Sequence, residues 1–233
     1  MTKRFVIFIT ALSIATATAF QVVAADLFSD HNVSLGVKGG MSLSKVNFQS
    51  SIPQKLIRGL VFGASIRYIE EKHFGIIAEL NFEQRGWNDD FAPLQDYNFK
   101  RQFTYLQLPL LTHIYFGSDK ARFFFNAGPE IGLMIGDKTT SNFDYKHAGD
   151  IEDFKNNYHK TEHFTLPVKR KFDYGISAGL GMEVNLGYRN AINLEGRFYY
   201  GLSDMFSNHK TDPFQGSSSM SIMVTLGYNI RLK

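Results

Sequence analysis

Apolar and polar residues alternate with a period of two along most of the chain. Such alternation indicates β-strands that have one apolar face. It is clearest near the end, where alternate positions from Met220 to Leu232 are apolar and those between them are polar except Met223. The pattern predicts no helix after residue 25. It predicts eight strands, at residues 33–43, 58–70, 73–86, 102–116, 121–135, 171–187, 190–202 and 219–232.

The predicted connections alternate between long and short. Residues 44–57, 87–101, 136–170 and 203–218 are long connections, and tight turns fall near residues 71–72, 117–120 and 187–190. Short periplasmic turns and long external loops are typical of outer-membrane barrels. After residue 25 no apolar run is long enough for a membrane helix, so a closed barrel is the remaining way to span a bilayer. We predict an all-β fold, an eight-stranded antiparallel up-and-down transmembrane β-barrel in the bacterial outer membrane.

The N-terminal residues have the features of a secretory signal. Lys3 and Arg4 precede an apolar stretch at 5–20, and small residues at 23–25 form a cleavage site. We expect a cleaved signal peptide at 1–25 and a barrel domain at 26–233. Its removal leaves 23 basic and 22 acidic residues, which gives no electrostatic case for a nucleic-acid partner. The absence of cysteine excludes a lipoprotein anchor and disulfides.

The polar face of the predicted strands is rich in glycine and carries both signs of charge. An eight-stranded barrel is just wide enough for side chains, so small residues fit its interior better than a water-facing surface. A soluble barrel with this face in water is the alternative. Aromatic residues, Trp87 and Phe103 among them, are expected in lipid-facing girdles. Buried ions need partners, which predicts an interior network of Lys38, Arg67, Glu79, Glu130, Glu183, Glu195, Arg197 and Arg231.

Two further segments suggest partners in the envelope. The sequence TLGYNIRL at 225–232 resembles the terminal signal by which the barrel-assembly machinery recognises its substrates, with Thr225, Gly227, Ile230 and Leu232 at the expected spacing. Where the third long connection rejoins the barrel, Lys169, Arg170 and Lys171 could pair with lipopolysaccharide phosphates. The alternative for this basic run is a solvated strand start.

Several blocks, in a specific order, resemble the PorT-like outer-membrane β-barrel family of Bacteroidota. They are LGVKGGMSL (35–43), AELNFEQRGW (78–87), YLQLPLL (105–111), NAGPEIG (126–132), GLGME (179–183) and LEGRFYYGL (194–202). The resemblance implies an eight-stranded membrane barrel without a common activity. Its name-giving member is similar to a component needed for protein secretion and gliding.

Candidate chemistry is sparse. The connection 136–170 holds possible metal ligands, and Ser203, Asp204 and His209 are triad-type residues without visible geometry. We therefore expect a non-enzymatic protein without a cofactor or metal, with external loops for structural or interaction roles. The alternatives are a component of a secretion or transport system and an outer-membrane enzyme. The possible metal ligands are His147, Asp150, Glu152, Asp153, His159 and His163.

Overall fold

The computed structural model describes residues 33–49, 52–92, 94, 96–168, 170–206 and 216–232. The predicted signal peptide, Lys169 and His209 lie outside them. Among the described residues, no helix is both long and apolar enough to cross a membrane. The strands in this part of the chain are β1 (Val33–Gln49), β2 (Gln54–Lys55), β3 (Ile57–Glu71), β4 (Phe74–Asp89), β5 (Phe99–Gly117), β6 (Ala121–Ser141), β7 (Phe172–Asn185), β8 (Asn190–Gly201) and β9 (Gly216–Arg231).

Eight long strands form a closed antiparallel ring. From β3 to β9 each strand pairs with the next, and β1 pairs with both β3 and β9. The two-residue β2 adds only a short pairing to the end of β4. Closure gives every long strand two neighbours, which removes the exposed edges of an open sheet. The ring confirms the predicted eight-stranded barrel.

The two faces of the barrel wall differ sharply in polarity. In β9, Leu226 is 60% exposed whereas Thr225 is 4% exposed. The same alternation around the ring leaves Leu, Ile, Val and Phe on the outside and buries Ser, Asn, Glu and Arg. A soluble barrel has the opposite arrangement, and lipid is the solvent that accommodates a continuous apolar exterior. The polar face is therefore the interior.

The strands reach further at the long-loop end than the alternation predicts. Instead of ending at 43 and 135, β1 continues to Gln49 and β6 to Ser141. In the β1 extension the interior positions become apolar, as Val46 and Phe48 show, and in the β6 extension the exposed Lys138 and Thr140 replace apolar outward residues. The rule of polar inside and apolar outside, which set the predicted limits, no longer holds there, so those limits are wrong by up to six residues.

An apolar cluster closes the barrel at this end. Trp87 and Phe103 belong to it and are fully buried, so their predicted lipid-facing position is wrong. Each follows the period of its strand, since Trp87 lies on the same face of β4 as Glu83 and Arg85. The cluster is formed by Val46, Phe48, Ile52, Trp87, Phe91, Phe99, Phe103, Tyr105, Met134, Ala148, Phe154, Phe164, Met205 and Phe206.

Residues 142–168, which we call the cap, fold over the apolar cluster. An α-helix (Glu152–Asn156) lies between two 3-10 helices (Tyr145–Asp150 and Glu162–Phe164). The expectation of no helix is therefore wrong in this segment. These helices have one turn or two, too few residues to show a helical period in the sequence. Each is anchored by a side chain that it buries in the apolar cluster, for example Phe154 and Phe164.

Candidate functional site

The first ion-pair network in the interior centres on Arg197 of β8. Its Nη1 and Nη2 donate to the Glu79 carboxylate at 2.6 and 2.9 Å, and Nη2 also donates to Glu195 at 2.8 Å. Lys38 of β1 donates to Glu79 at 2.7 Å, and Asn126 of β6 donates to Glu195 at 2.9 Å. The network thus ties together strands on opposite sides of the ring.

A smaller pair, also inside the ring, joins Arg67 of β3 to Glu183 of β7 at 2.6 Å. The Asn229 side chain donates to the same carboxylate at 3.2 Å. The predicted partner Arg231 is on the same face of β9, but it is only half-buried at the rim and forms no ion pair with the described residues. The structure therefore leaves Arg231 outside the network.

A second network surrounds Arg85 of β4, closer to the apolar cluster. The guanidinium donates to Glu83 at 2.5 Å, to Glu130 at 2.6 Å and to Asp173 at 3.2 Å. It also lies 3.8 Å from the centre of the Tyr199 ring. A planar guanidinium suits this site because its five N–H donors can serve several carboxylates while its face stacks on an aromatic ring.

The predicted network included Glu130 but not Arg85, to which Glu130 binds, nor Glu83 and Asp173, the other carboxylates that Arg85 contacts. The sequence contained the signal, because alternation from Glu79 through Glu83 to Arg85 places all three on the inward face of β4. Asp173 is likewise on the polar face of its strand. Pairing could not be read in the same way, since it depends on the register between strands that are distant in the sequence.

The networks leave little open space between them. A polar cavity of about 30 Å³ remains beside Lys38, Arg67, Glu79 and His113. That volume holds only about two water molecules. Above it, the Arg85 network and then the apolar cluster occupy the interior, so the described part of the barrel is filled rather than hollow.

A comparison with family models adds the decisive observation. The model described as the outer membrane protein beta-barrel domain matches residues 21–207, most of the chain. The chain belongs to this family. Membership in this family agrees with the apolar exterior of the barrel. It confirms that the protein is located in the bacterial outer membrane. The narrower PorT-like assignment is not part of this finding.

The chain was also compared with solved structures, and three of the matches are outer-membrane proteins. OprG of Pseudomonas aeruginosa is 11% identical, with a TM-score of 0.48 over 85% of this chain and 95% of that one. Ail of Yersinia pestis is 12% identical, with a TM-score of 0.41 over 85% and 99%. The outer membrane enzyme PagL is 11% identical, with a TM-score of 0.40 over 82% and 97%. A search of curated proteins found no match.

The residues of the predicted insertion signal lie on both faces of the last strand of this outer membrane β-barrel. Thr225 is buried and Gly227 faces inward, whereas Ile230 is exposed on the outer face. Leu232 follows the strand, and its backbone N–H donates to the carbonyl of Val33 at 2.8 Å. Recognition by the assembly machinery stays a prediction.

The possible metal ligands of the cap are dispersed. His147 contacts Asp144 at 2.8 Å, while His163 is fully buried with its Nε2 2.7 Å from Asp89 of β4. His159 Nε2 is 3.7 Å from the same carboxylate. Within the described residues, no group of three or more His, Cys, Asp or Glu side chains has metal-binding geometry. The buried His163–Asp89 contact instead attaches the cap to the barrel wall.

Ser203 and Asp204, the two triad-type residues that the structure describes, do not form the arrangement of a catalytic nucleophile with its base. The Ser203 hydroxyl is buried and donates to the Asp173 carboxylate of the second network. Asp204 accepts from the backbone N–H of Ser217 at 2.8 Å. His209 lies outside the described residues. The two described members therefore serve the interior network and a loop contact.

Proposed function

We propose that this outer-membrane barrel is a non-enzymatic protein with a closed interior, whose cap and external loops serve structural or interaction roles. The observation that carries the proposal is the series of barriers along the barrel axis. An ion entering from outside meets first the cap, then the apolar cluster, the Arg85 network and the Arg197 network.

The energetics of the interior support a permanently closed state. Arg85 and Arg197 each contact two or more carboxylates, and both side chains are 2% exposed. Separating a buried ion from its partners costs several kcal/mol per ion. Thermal fluctuations therefore rarely open a path through either network. The burial of the Ser203 hydroxyl against Asp173 supports the non-enzymatic part of the proposal.

Planar-bilayer recording of the refolded protein tests the closed interior. We expect no stable conductance steps from the wild type. The double variant Glu79→Ala/Arg197→Ala removes the centre of the first network without changing the net charge, although Lys38 and Glu195 lose these partners, and it serves as the test for partial opening. An Arg231→Ala variant at the rim is the control. Large, stable steps from the wild type would contradict the proposal.

A role in secretion or transport is the second candidate. It is supported by the ordered sequence blocks that resemble the PorT-like barrels of Bacteroidota, chiefly those at 78–87 and 194–202. Deleting the gene and measuring exported proteins and surface motility separates the two candidates. Unchanged export and motility would remove this second candidate and leave the first intact.

A further inference from the structure

The outer wall of the barrel carries a basic arc at its long-loop end. We define the basic arc as the Lys and Arg residues that point outward from the barrel wall, just beyond the lipid-exposed apolar band. None of them forms an ion pair with the described residues, and all but the half-buried Lys100 are exposed. The arc runs from β1 through β3, β5 and β6 to the start of β7, and its members are Lys45, Arg58, Lys100, Lys138 and Arg170.

The strand register and one side-chain contact relate members of the arc across neighbouring strands. Gln102 of β5 lies opposite Lys138 of β6, and its side-chain amide donates to the carbonyl of Arg58 at 3.4 Å. Arg58 and Lys138 are three strands apart, which is about 14 Å along the sheet. The carbonyl of Lys171 accepts from the backbone N–H of Met134 at 2.7 Å, so the start of β7 continues the arc beside β6.

Acidic residues are missing from the same band. At outward-facing positions in the described strands, the band holds Asn, Gln and Thr beside its Lys and Arg but neither Asp nor Glu. Acidic residues at this end lie in the cap and loops or, like Asp137, are paired with Arg101 at 2.7 Å. An ordinary solvated surface mixes both signs of charge. A single-sign band therefore indicates an anionic partner.

The position of the arc identifies that partner by its chemistry. Directly beneath it, Leu60, Leu133, Ile135 and Phe172 are 48–59% exposed and face acyl chains. The arc is thus at the depth where hydrocarbon gives way to headgroups, at the end that is external in outer-membrane barrels. Arg and Lys bind phosphate oxygens through charge-assisted hydrogen bonds.

We propose that the basic arc binds the phosphate groups of a glycolipid in the outer leaflet, and that this contact orders lipid around β3 to β7. Arg170 marks one end of this surface, and the arc extends it across four more strands. The proposal rests on the outer-membrane location and does not require a closed interior.

Binding of lipid A to the detergent-solubilised full chain, measured by native mass spectrometry, tests this proposal. The variant Arg58→Gln/Lys138→Gln/Arg170→Gln removes three charges from the arc. Because a basic residue near an anionic surface contributes about 1 kcal/mol, we expect affinity to fall on the order of 100-fold. The control Lys146→Gln/Lys155→Gln/Lys160→Gln removes three exposed charges from the cap and should bind like the wild type.

Two comparisons establish the source of the phosphate. Lipid A without its phosphates should bind the wild type as weakly as native lipid A binds the triple arc variant, whereas inorganic phosphate alone should compete poorly. Circular dichroism and gel mobility must show that every variant is folded. Equal affinity of wild type and arc variant for lipid A would overturn the proposal, as would undiminished binding of the dephosphorylated lipid. Neither result bears on conductance, so the closed-interior proposal fails or survives separately.

Discussion

Replacing Arg197 by Met probes the first ion-pair network with little change in volume. Arg197→Met removes the cation shared by Glu79 and Glu195. Glu79 keeps its 2.7 Å contact with Lys38, whereas Glu195 keeps only the neutral donor Asn126 among the described contacts. Leaving one buried charge without its partner costs roughly 3–5 kcal/mol. Because Glu79 retains a cation, we expect a loss near the lower end, about 3 kcal/mol.

The measurement is reversible unfolding in urea in the presence of lipid vesicles. The chain has a single tryptophan, and Trp87 is fully buried in the apolar cluster, so its emission reports exposure of the outer end. Heat-dependent gel mobility gives a second signal for the whole ring. The rim variant Arg231→Ala is the control, because a surface substitution changes stability by about 0.5 kcal/mol or less.

A second variant separates loss of charge pairing from loss of packing. Adding Glu195→Gln to Arg197→Met removes the unpaired carboxylate, and we expect it to restore part of the stability. If Arg197→Met unfolds within about 0.5 kcal/mol of the wild type, a magnitude typical of surface positions, the argument from buried pairing is refuted. If the double variant is no more stable than Arg197→Met, packing rather than charge explains the loss.

Two other predictions concern the cap. His163→Ala leaves the Asp89 carboxylate buried with an unmet acceptor, which costs about 1–3 kcal/mol. Proteolysis within 142–168 should therefore accelerate, whereas the control His147→Ala, at an exposed position, should not accelerate it. Equal digestion of the two variants would contradict the attachment of the cap through His163. The hydrogen bond to Asp144 and, to a smaller extent, the negative charge of Asp144 raise the pKa of His147. The contact is therefore favoured at low pH, where His147 is protonated, and it weakens as the pH rises through that raised pKa. Asp144→Asn should lower the pKa of His147 in an NMR titration, and an unchanged value would count against this contact.

The alternation in the sequence predicts the barrel because each strand has only two faces, and the glycine-rich polar face with both signs of charge indicates which of them is the interior. It fails where that polarity changes along a single strand. Trp87 continues the inward phase of Arg85, yet it is apolar because the barrel has left the membrane and is filled by the apolar cluster. A prediction that follows phase along β4, rather than residue type, would have placed it correctly.

The ion-pair partners depend on three-dimensional closure. Arg197 and Glu79 are 118 positions apart, and their contact follows from ring size and stagger, which a single strand does not encode. The cap is harder still, since its short helices show no period and are stabilised by packing on Phe99 and Phe91. The sequence therefore predicts which residues face inward, but it does not predict which of them meet.

The seam between β1 and β9 has a consequence for the order of assembly. Hairpins such as β7–β8 can form early because their partners are neighbours in the chain, whereas loop closure makes distant contacts slow. Several strong contacts are distant, including Arg67 with Glu183, 116 positions away, and Arg197 with Glu79. Until β9 reaches β1, the open sheet would expose these ions towards the bilayer core. Pairing of β9 with β1 therefore converts a curved sheet with costly unpaired ions into a neutralised cylinder, and we expect this to make the closing step of folding strongly cooperative.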